Sequence, residues 1–281
     1  MIARALVILF LVAAILGGTA YFAYELYLKP KKLDVEEKKM AEIAPPTPPP
    51  DPSLSAFEKL RPVLELDTTE AQSAISAFLE SYPESPVAPA ARAALGRINA
   101  AQILSPSPSP DKTAYSVARG DSLVKIAAKF KTNAELIFRV NALQTINLQI
   151  GQELVIPKLD VSLVVDRAAM TVTLQNAGVF VREYPVKSLK LPASASTGTV
   201  QTKVGDKLAM KGNARVAFGT KDYEGSDRWV MLGLPGLVLR GTPPPAADGS
   251  EVPMPPGIVL DPADASEIYV LTARGTPVTI R

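Results

Sequence analysis

Apolar residues follow four different rules along this chain. From Ala5 to Tyr24 they form an uncharged run of about twenty residues, enough to cross a hydrocarbon core of roughly 30 Å. From Leu54 they recur at helical spacing: Leu54, Phe57, Leu60 and Leu64, then Ala71, Ile75, Phe78 and Leu79. Thr68 or Thr69 caps the second of these helices. Tyr82-Pro83 ends it, because the residue before proline avoids helical angles. A further helix is predicted over about Ala88 to Leu104.

Between residues 113 and 157 the pattern changes within short segments. Tyr115 and Val117 alternate with polar residues, as in a strand. Asp121 or Ser122 then caps a helix with Leu123, Ile126, Ala127 and Phe130 inward, and Thr132 with Glu135 makes a capping box for a helix carrying Leu136, Ile137 and Val140. Leu154-Val155-Ile156 is a returning strand, stopped by Pro157. Beyond it, short β-branched or alternating runs predict strands at 163–165, 170–174 and 179–184, with Asn176-Ala177-Gly178 as a hairpin turn. More strands are expected near Val200, at Ala217-Phe218, Trp229–Leu232, Val238-Leu239, Ile268–Leu271 and Thr276–Ile280. Together they predict a β-sandwich or barrel of about 120 residues.

Prolines divide these regions. APPTPPPDPS at 44–53 and SPSPSP at 105–110 favour extended, semi-rigid spacers. The expected organisation is an anchor at 1–32, a proline-rich linker at 33–53, a helical region at 54–104, a Ser/Pro linker at 105–112, a βααβ module at 113–158 and a mostly-β domain at 159–281. The fold class is multidomain α+β.

The N-terminal run fits a membrane anchor or a cleavable signal, for which Gly18 and Ala20 are the small residues. Its length favours the anchor, with Tyr21, Phe22, Tyr24 and Tyr27 at the interface. Lys29, Lys31 and Lys32 favour a cytoplasmic C-terminal side, whereas the domains place the bulk of the chain on the periplasmic, extracytoplasmic side of a single-pass protein.

Composition removes whole classes of chemistry. The chain has no Cys and no His, so it contains no Ser-His-Asp triad, Cys-His pair, His-bound zinc or disulfide. A net charge of +2 with scattered cations gives no sign of a nucleic-acid partner. No metal or cofactor is implied. Ser122-Leu123-Val124-Lys125 fits S-x-x-K, the nucleophile motif of penicillin-binding proteins, but its S-D-N and K-T-G partners are missing.

Two resemblances carry function. YSVARGDSL, the IAAKF helix, the Asn141-Ala142-Leu143 turn and LQIGQELVIP, in this order, resemble a LysM domain. That resemblance implies binding of N-acetylglucosamine-containing glycan, peptidoglycan in bacteria. The implied groove sets Gly120, Asp121, Ser122 and Leu123 opposite Ile146, Asn147, Leu148 and Gln149. FLESYPESPVAPAARAALGRI resembles a single tetratricopeptide-type hairpin, and a repeat unit needs a neighbour to cover its open face.

The region 159–281 resembles the L,D-transpeptidase (YkuD) domain through its opening hairpin, STGTV, GLVLRGT and the closing GTPVTI strand. That family's reaction needs a cysteine thiolate and activating histidines. Matched residue by residue, Arg240 stands at a histidine position, and Met254, Pro255, Pro256 and Gly257 stand in the S-H-G-C string. The resemblance therefore implies a degenerate, non-catalytic domain. Arg240 suits forked hydrogen bonds to a peptide carboxylate, the alternative being an ordinary surface ion pair. Asp261 and Asp264 fit the cap and first turn of a helix.

Three functions follow. The first is a non-catalytic, membrane-anchored peptidoglycan-binding protein of the bacterial envelope. The second is an envelope scaffold that docks protein partners through the hairpin and the degenerate domain. The third is a cell-wall enzyme working with carboxylates alone, for which Glu183, Asp206, Asp222, Glu224 and Asp227 are the candidates, without an evident pairing.

Overall fold

A computed structural model describes residues 2–29, 31, 51–66, 68–212, 214–243 and 257–281. Met254, Pro255 and Pro256, and the proline-rich run at 44–50, lie outside the described residues. The chain forms two compact units, Met1–Asp51 and Pro52–Arg281.

In the first unit, helix α1 (Ile2–Ala23) runs into a π-helical turn at Tyr24–Leu28. Its apolar side chains from Leu6 to Leu28 are exposed, and the segment is long and apolar enough to cross a membrane. By length and composition it fits a membrane span or a signal sequence equally.

The second unit opens with helices α2 (Pro52–Leu60), α3 (Thr69–Ser81) and α4 (Ala88–Leu104). Thr68 caps α3 by accepting from Ala71 N–H at 3.2 Å, and Tyr82 ends it before Pro83. Ala71, Ile75, Phe78, Ala91, Leu95 and Ile98 form the seam of the hairpin. A lone helical pair leaves one face open, and here the sheet domain covers it. Gly96 lets α4 lie close on a strand: a Cβ there would stand 2.8 Å from Arg182 Cγ. Beside it, Asn99 Nδ2 donates to the carbonyls of Phe180 and Val181 at 3.2 and 3.1 Å.

The next module is β1 (Lys112–Ser116), α5 (Leu123–Phe130), α6 (Ala134–Val140) and β2 (Glu153–Pro157), with β1 and β2 antiparallel. Ser122 caps α5 through Lys125 N–H at 3.3 Å. The capping box at Thr132 does not form: Asn133 is the cap, accepting from Glu135 N–H at 3.0 Å. The Glu135 carboxylate turns elsewhere, as described below. Asn141 locks α6 to β2, donating to Ile137 and Val155 carbonyls and accepting from Val155 N–H at 2.7 Å.

The C-terminal strands are β3 (Val161–Asp166), β4 (Thr171–Asn176), β5 (Val179–Pro185), β6 (Ser188–Leu189), β7 (Val200–Lys211), β8 (Ala214–Val216), β9 (Asp227–Leu232), β10 (Val238–Gly241), β11 (Gly257–Leu260) and β12 (Pro277–Ile280). They form one path, β5-β4-β3-β12-β7-β9-β10-β11-β6, with β8 on β7. The first half of β7 pairs with β12 and its second half with β9, so one long strand joins two halves around a common core. β3–β12 and β10–β11 are parallel pairs. The turn at Ala177-Gly178 has positive φ at both residues (49° and 78°), as a two-residue type I′ hairpin requires.

Two expected strands are corrected. Ile268–Leu271 belongs to helix α7 (Pro262–Leu271), capped by Asp261 through Ala263 N–H and with Asp264 in its first turn. Its last four residues are all buried, and a short apolar run has no period that separates strand from buried helix. Ala217-Phe218 is not a strand; it follows β8 and enters a turn in which Thr220 N–H donates to the Ala217 carbonyl.

Candidate functional site

The implied glycan groove lies where the end of β1 meets the loop before β2. Gly151 N–H donates to the Val117 carbonyl at 2.8 Å and Val117 N–H to the Gln152 carbonyl at 2.9 Å, holding the two loops side by side. Asp121 Oδ2 accepts from Tyr115 O–H at 2.7 Å and from Ala118 N–H at 2.9 Å. Those hydrogen bonds hold its carboxyl below the usual range. Asp121 therefore braces the loop and leaves the capping to Ser122. Gly120, with φ of 85°, is exposed beside it.

On the facing loop, Asn147 and Gln149 are exposed and Leu148 packs partly on the module core. Leu123 is 3% exposed with its side chain in that core, so the side chain is not presented to a ligand. Ile146 is 41% exposed and meets Gly219 of the sheet domain, where an added Cβ would approach Ile146 Cδ1 to 2.7 Å.

The S-x-x-K pair has no catalytic geometry. Ser122 Oγ accepts from Lys125 N–H, while the Lys125 ammonium donates to the Gly120 carbonyl at 2.8 Å.

In the sheet domain, Arg240 and Gly257 lie on the adjacent parallel strands β10 and β11. Arg240 is 4% exposed, so it is no surface arginine. Burial pushes its pKa down and the Asp227 charge partly offsets this. Gly257 is buried, and a Cβ on it would stand 2.2 Å from the Val238 carbonyl oxygen. The position matched to the family's nucleophile has no space for any side chain.

A charged junction, not foreseen from the sequence, joins the βααβ module to the sheet domain. Glu135 on α6 is 4% exposed. It receives Arg139 Nη2 at 2.6 Å, the Tyr223 hydroxyl and, at 3.8 Å, Arg228 Nη2. Arg228 is also buried, stacks 3.9 Å from the Tyr223 ring centre and donates to the Tyr223 and Ser226 carbonyls. Alongside, Asn133 Nδ2 donates to the Tyr269 and Val270 carbonyls at 3.0 and 3.2 Å, and Leu136 and Val140 enter the sheet domain's own core. The one available signal was that Leu136, Ile137 and Val140 make α6 apolar on two faces.

Lys207 completes the cluster. Its ammonium donates to the Thr272 carbonyl at 2.6 Å and sits 4.3 Å from the Tyr269 ring centre. Burial pushes its pKa down to about 7 against the pull of Glu135. Between this value and its ordinary value near 10.5, the unfolded chain binds the proton and the folded chain does not. The Lys207 penalty is thus fully present below pH 7 and vanishes above about pH 10.5. Urea denaturation should show wild type gaining stability relative to Lys207→Met as pH rises from 7 to 10. A difference independent of pH contradicts the buried-ammonium account.

Next to this junction is a cavity of about 830 Å³. Phe138 and Phe218 meet edge to face in its wall, with ring centres 5.6 Å apart, and Gln144, Thr145 and Ile146 border it from the loop before β2.

The LysM domain family model matches residues 115–157. No curated protein matches the chain by sequence. Among solved structures, the chain is similar to an L,D-transpeptidase from Mycobacterium smegmatis at 15% identity and a TM-score of 0.31, over 47% of this chain and 64% of that one. It is similar to a fused Zn-dependent amidase/peptidase/peptidoglycan-binding domain-containing protein from Clostridium acetobutylicum at 14% identity and 0.31, over 63% and 64%. An Enterococcus faecium L,D-transpeptidase gives 16% and 0.29, over 50% and 57%. The chain spans less than two thirds of the length of each of these structures.

Proposed function

We propose that this chain is a non-catalytic peptidoglycan-binding protein of the bacterial envelope, anchored in the membrane by α1, with its bulk outside the cytoplasm. The observation that carries this reading is the LysM domain at 115–157. Its two loops meet at one end of the module and present exposed Gly120, Asn147 and Gln149. Backbone and short polar groups there suit the acetamido groups of N-acetylglucosamine, and apolar side chains suit sugar faces.

Lack of catalysis is supported by the absence of Cys and His and by the filled space at Gly257. The carboxylate-enzyme reading loses weight because three of its five candidate acids serve separate ion pairs: Glu183 with Arg92, Asp206 with Arg274 and Asp222 with Lys211; Glu224 and Asp227 line the cavity. The scaffold reading loses weight because α4 already spends its open face on β5.

The test is titration of the full chain, in detergent, with N-acetylglucosamine oligomers. Asp121→Ala and Gln149→Ala should each weaken binding about tenfold, equivalent to roughly 1.4 kcal/mol, without loss of fold. Wild-type affinity in both variants places the glycan elsewhere.

A further inference from the structure

We propose that the sheet domain serves glycan binding as a buttress: its loop 217–226 holds the LysM loop before β2 in shape, with Phe218 and Gly219 as positioning residues. This inference rests on the glycan-binding reading above and gives the non-catalytic domain a part in it.

The LysM loop does not hold its own shape. Among the described residues, Gln144, Thr145, Ile146, Asn147 and Leu148 make no backbone–backbone hydrogen bond. Their local polar contacts run through side chains: Asn147 N–H donates to Thr145 Oγ1 at 3.3 Å and Gln144 Nε2 to the Ala142 carbonyl at 3.1 Å. Such a segment keeps one conformation where packing fixes it. Leu148 packs on the module's own core. Ile146 lies on Gly219, where an added Cβ would come within 2.7 Å of its Cδ1 and 2.9 Å of its Cγ2. Gly219 has a φ of 85°, the region that glycine favours, so both its bend and its bareness serve this contact.

Next in sequence, Phe218 joins the LysM core itself. It packs against the same cluster as Phe138, Leu143 and Leu148, and among the described residues it is the only side chain from outside 115–157 to do so. Its ring meets Phe138 at 5.6 Å and Tyr223 at 5.1 Å between centres, both edge to face. One side chain of the sheet domain therefore finishes the core on which the glycan loop rests.

The buttress is itself stiff. The N–H groups of Thr220, Tyr223 and Ser226 donate to the carbonyls of Ala217, Thr220 and Tyr223, a run of consecutive turns. The Tyr223 hydroxyl donates to Glu135, and Arg228 donates to the Tyr223 and Ser226 carbonyls at 3.0 and 2.9 Å. Asn147 and Gln149, the exposed polar groups of the LysM loop, flank Leu148 and follow Ile146 directly. A loop braced in this way does not have to be ordered when a ligand arrives, and the saving appears as affinity.

The test pairs calorimetric titration of the full chain in detergent, using N-acetylglucosamine oligomers, with hydrogen exchange at residues 144–149. Phe218→Ala should weaken binding about tenfold and speed exchange in that loop. Gly219→Ala, which sets a methyl group against Ile146, should do the same. Phe218→Tyr keeps the ring and should hold affinity within about twofold of wild type. Ile75→Ala, in the core of the helical hairpin, controls for general loss of stability and should leave both readouts unchanged. Wild-type affinity in both Phe218→Ala and Gly219→Ala overturns the inference and leaves the glycan reading standing. Weaker binding without faster loop exchange also overturns it, as does an equal loss in Ile75→Ala. A wild type that binds no oligomer overturns the glycan reading together with the inference.

Discussion

Gly257→Cys should give a protein about 3 kcal/mol less stable than wild type and devoid of transpeptidase activity, even when combined with Arg240→His. The reason is backbone geometry. Gly257 pairs with Val238 in the parallel β10–β11 ladder, and any Cβ at 257 would stand 2.2 Å from the Val238 carbonyl oxygen. Real contacts of that kind do not occur, so β10 or β11 has to move, and both lie in the buried core. Gly257→Ala should cost as much as Gly257→Cys, because the clash belongs to the Cβ and not to the sulfur. Urea midpoints and a cross-link assay measure both effects. A stable, active Gly257→Cys/Arg240→His double variant would contradict this account and show that position 257 has room for a thiol.

The second large effect is at the domain junction. Glu135→Leu should cost about 3–5 kcal/mol, since it leaves the buried Arg228 guanidinium without its carboxylate. Glu135→Leu/Arg228→Met should recover much of that loss, because replacing both ends of a buried ion pair by apolar groups is far cheaper than removing one. A double-mutant cycle by denaturation gives the coupling directly. Strict additivity of the two losses would mean that the pair does not hold the domains together. Because α6 supplies Leu136 and Val140 to the sheet-domain core, wild type should also unfold its LysM and sheet domains in one transition.

Much of this fold was legible in the sequence where local rules suffice. Thr68 and Ser122 cap the helices expected of them, α4 spans the predicted residues, and Ala177-Gly178 makes the predicted turn. What failed was competition between local signals. Asn133 displaced Thr132 as a cap because the Glu135 side chain, which a capping box needs, is taken by Arg139, Tyr223 and Arg228. Ile268–Leu271 has strand-like composition, yet the Asp261-Pro262 start carries a helix through it. The parallel pairs were not visible, since strand direction leaves no mark on a short apolar run.

The candidate site divides in the same way. The LysM module itself could be named from the sequence, because its signature is contiguous. The cluster of Glu135, Lys207, Tyr223 and Arg228 brings together residues up to 93 positions apart, and each alone reads as a surface charge or a stray aromatic. Nothing in one sequence couples them. Gly257 stands out in the sequence only through the resemblance, and its close approach to the Val238 carbonyl could not be read there.

The central claim is that this chain holds the wall glycan and leaves it unchanged. The most direct measurement is co-sedimentation of the full chain, in detergent, with purified peptidoglycan, followed by chromatography of the recovered glycan for new cross-links or cleaved strands. Binding that is lost in Asp121→Ala/Gln149→Ala, with an unaltered product profile, is the predicted result. New cross-links or cleavage products that depend on the chain would contradict it, and so would a failure to sediment.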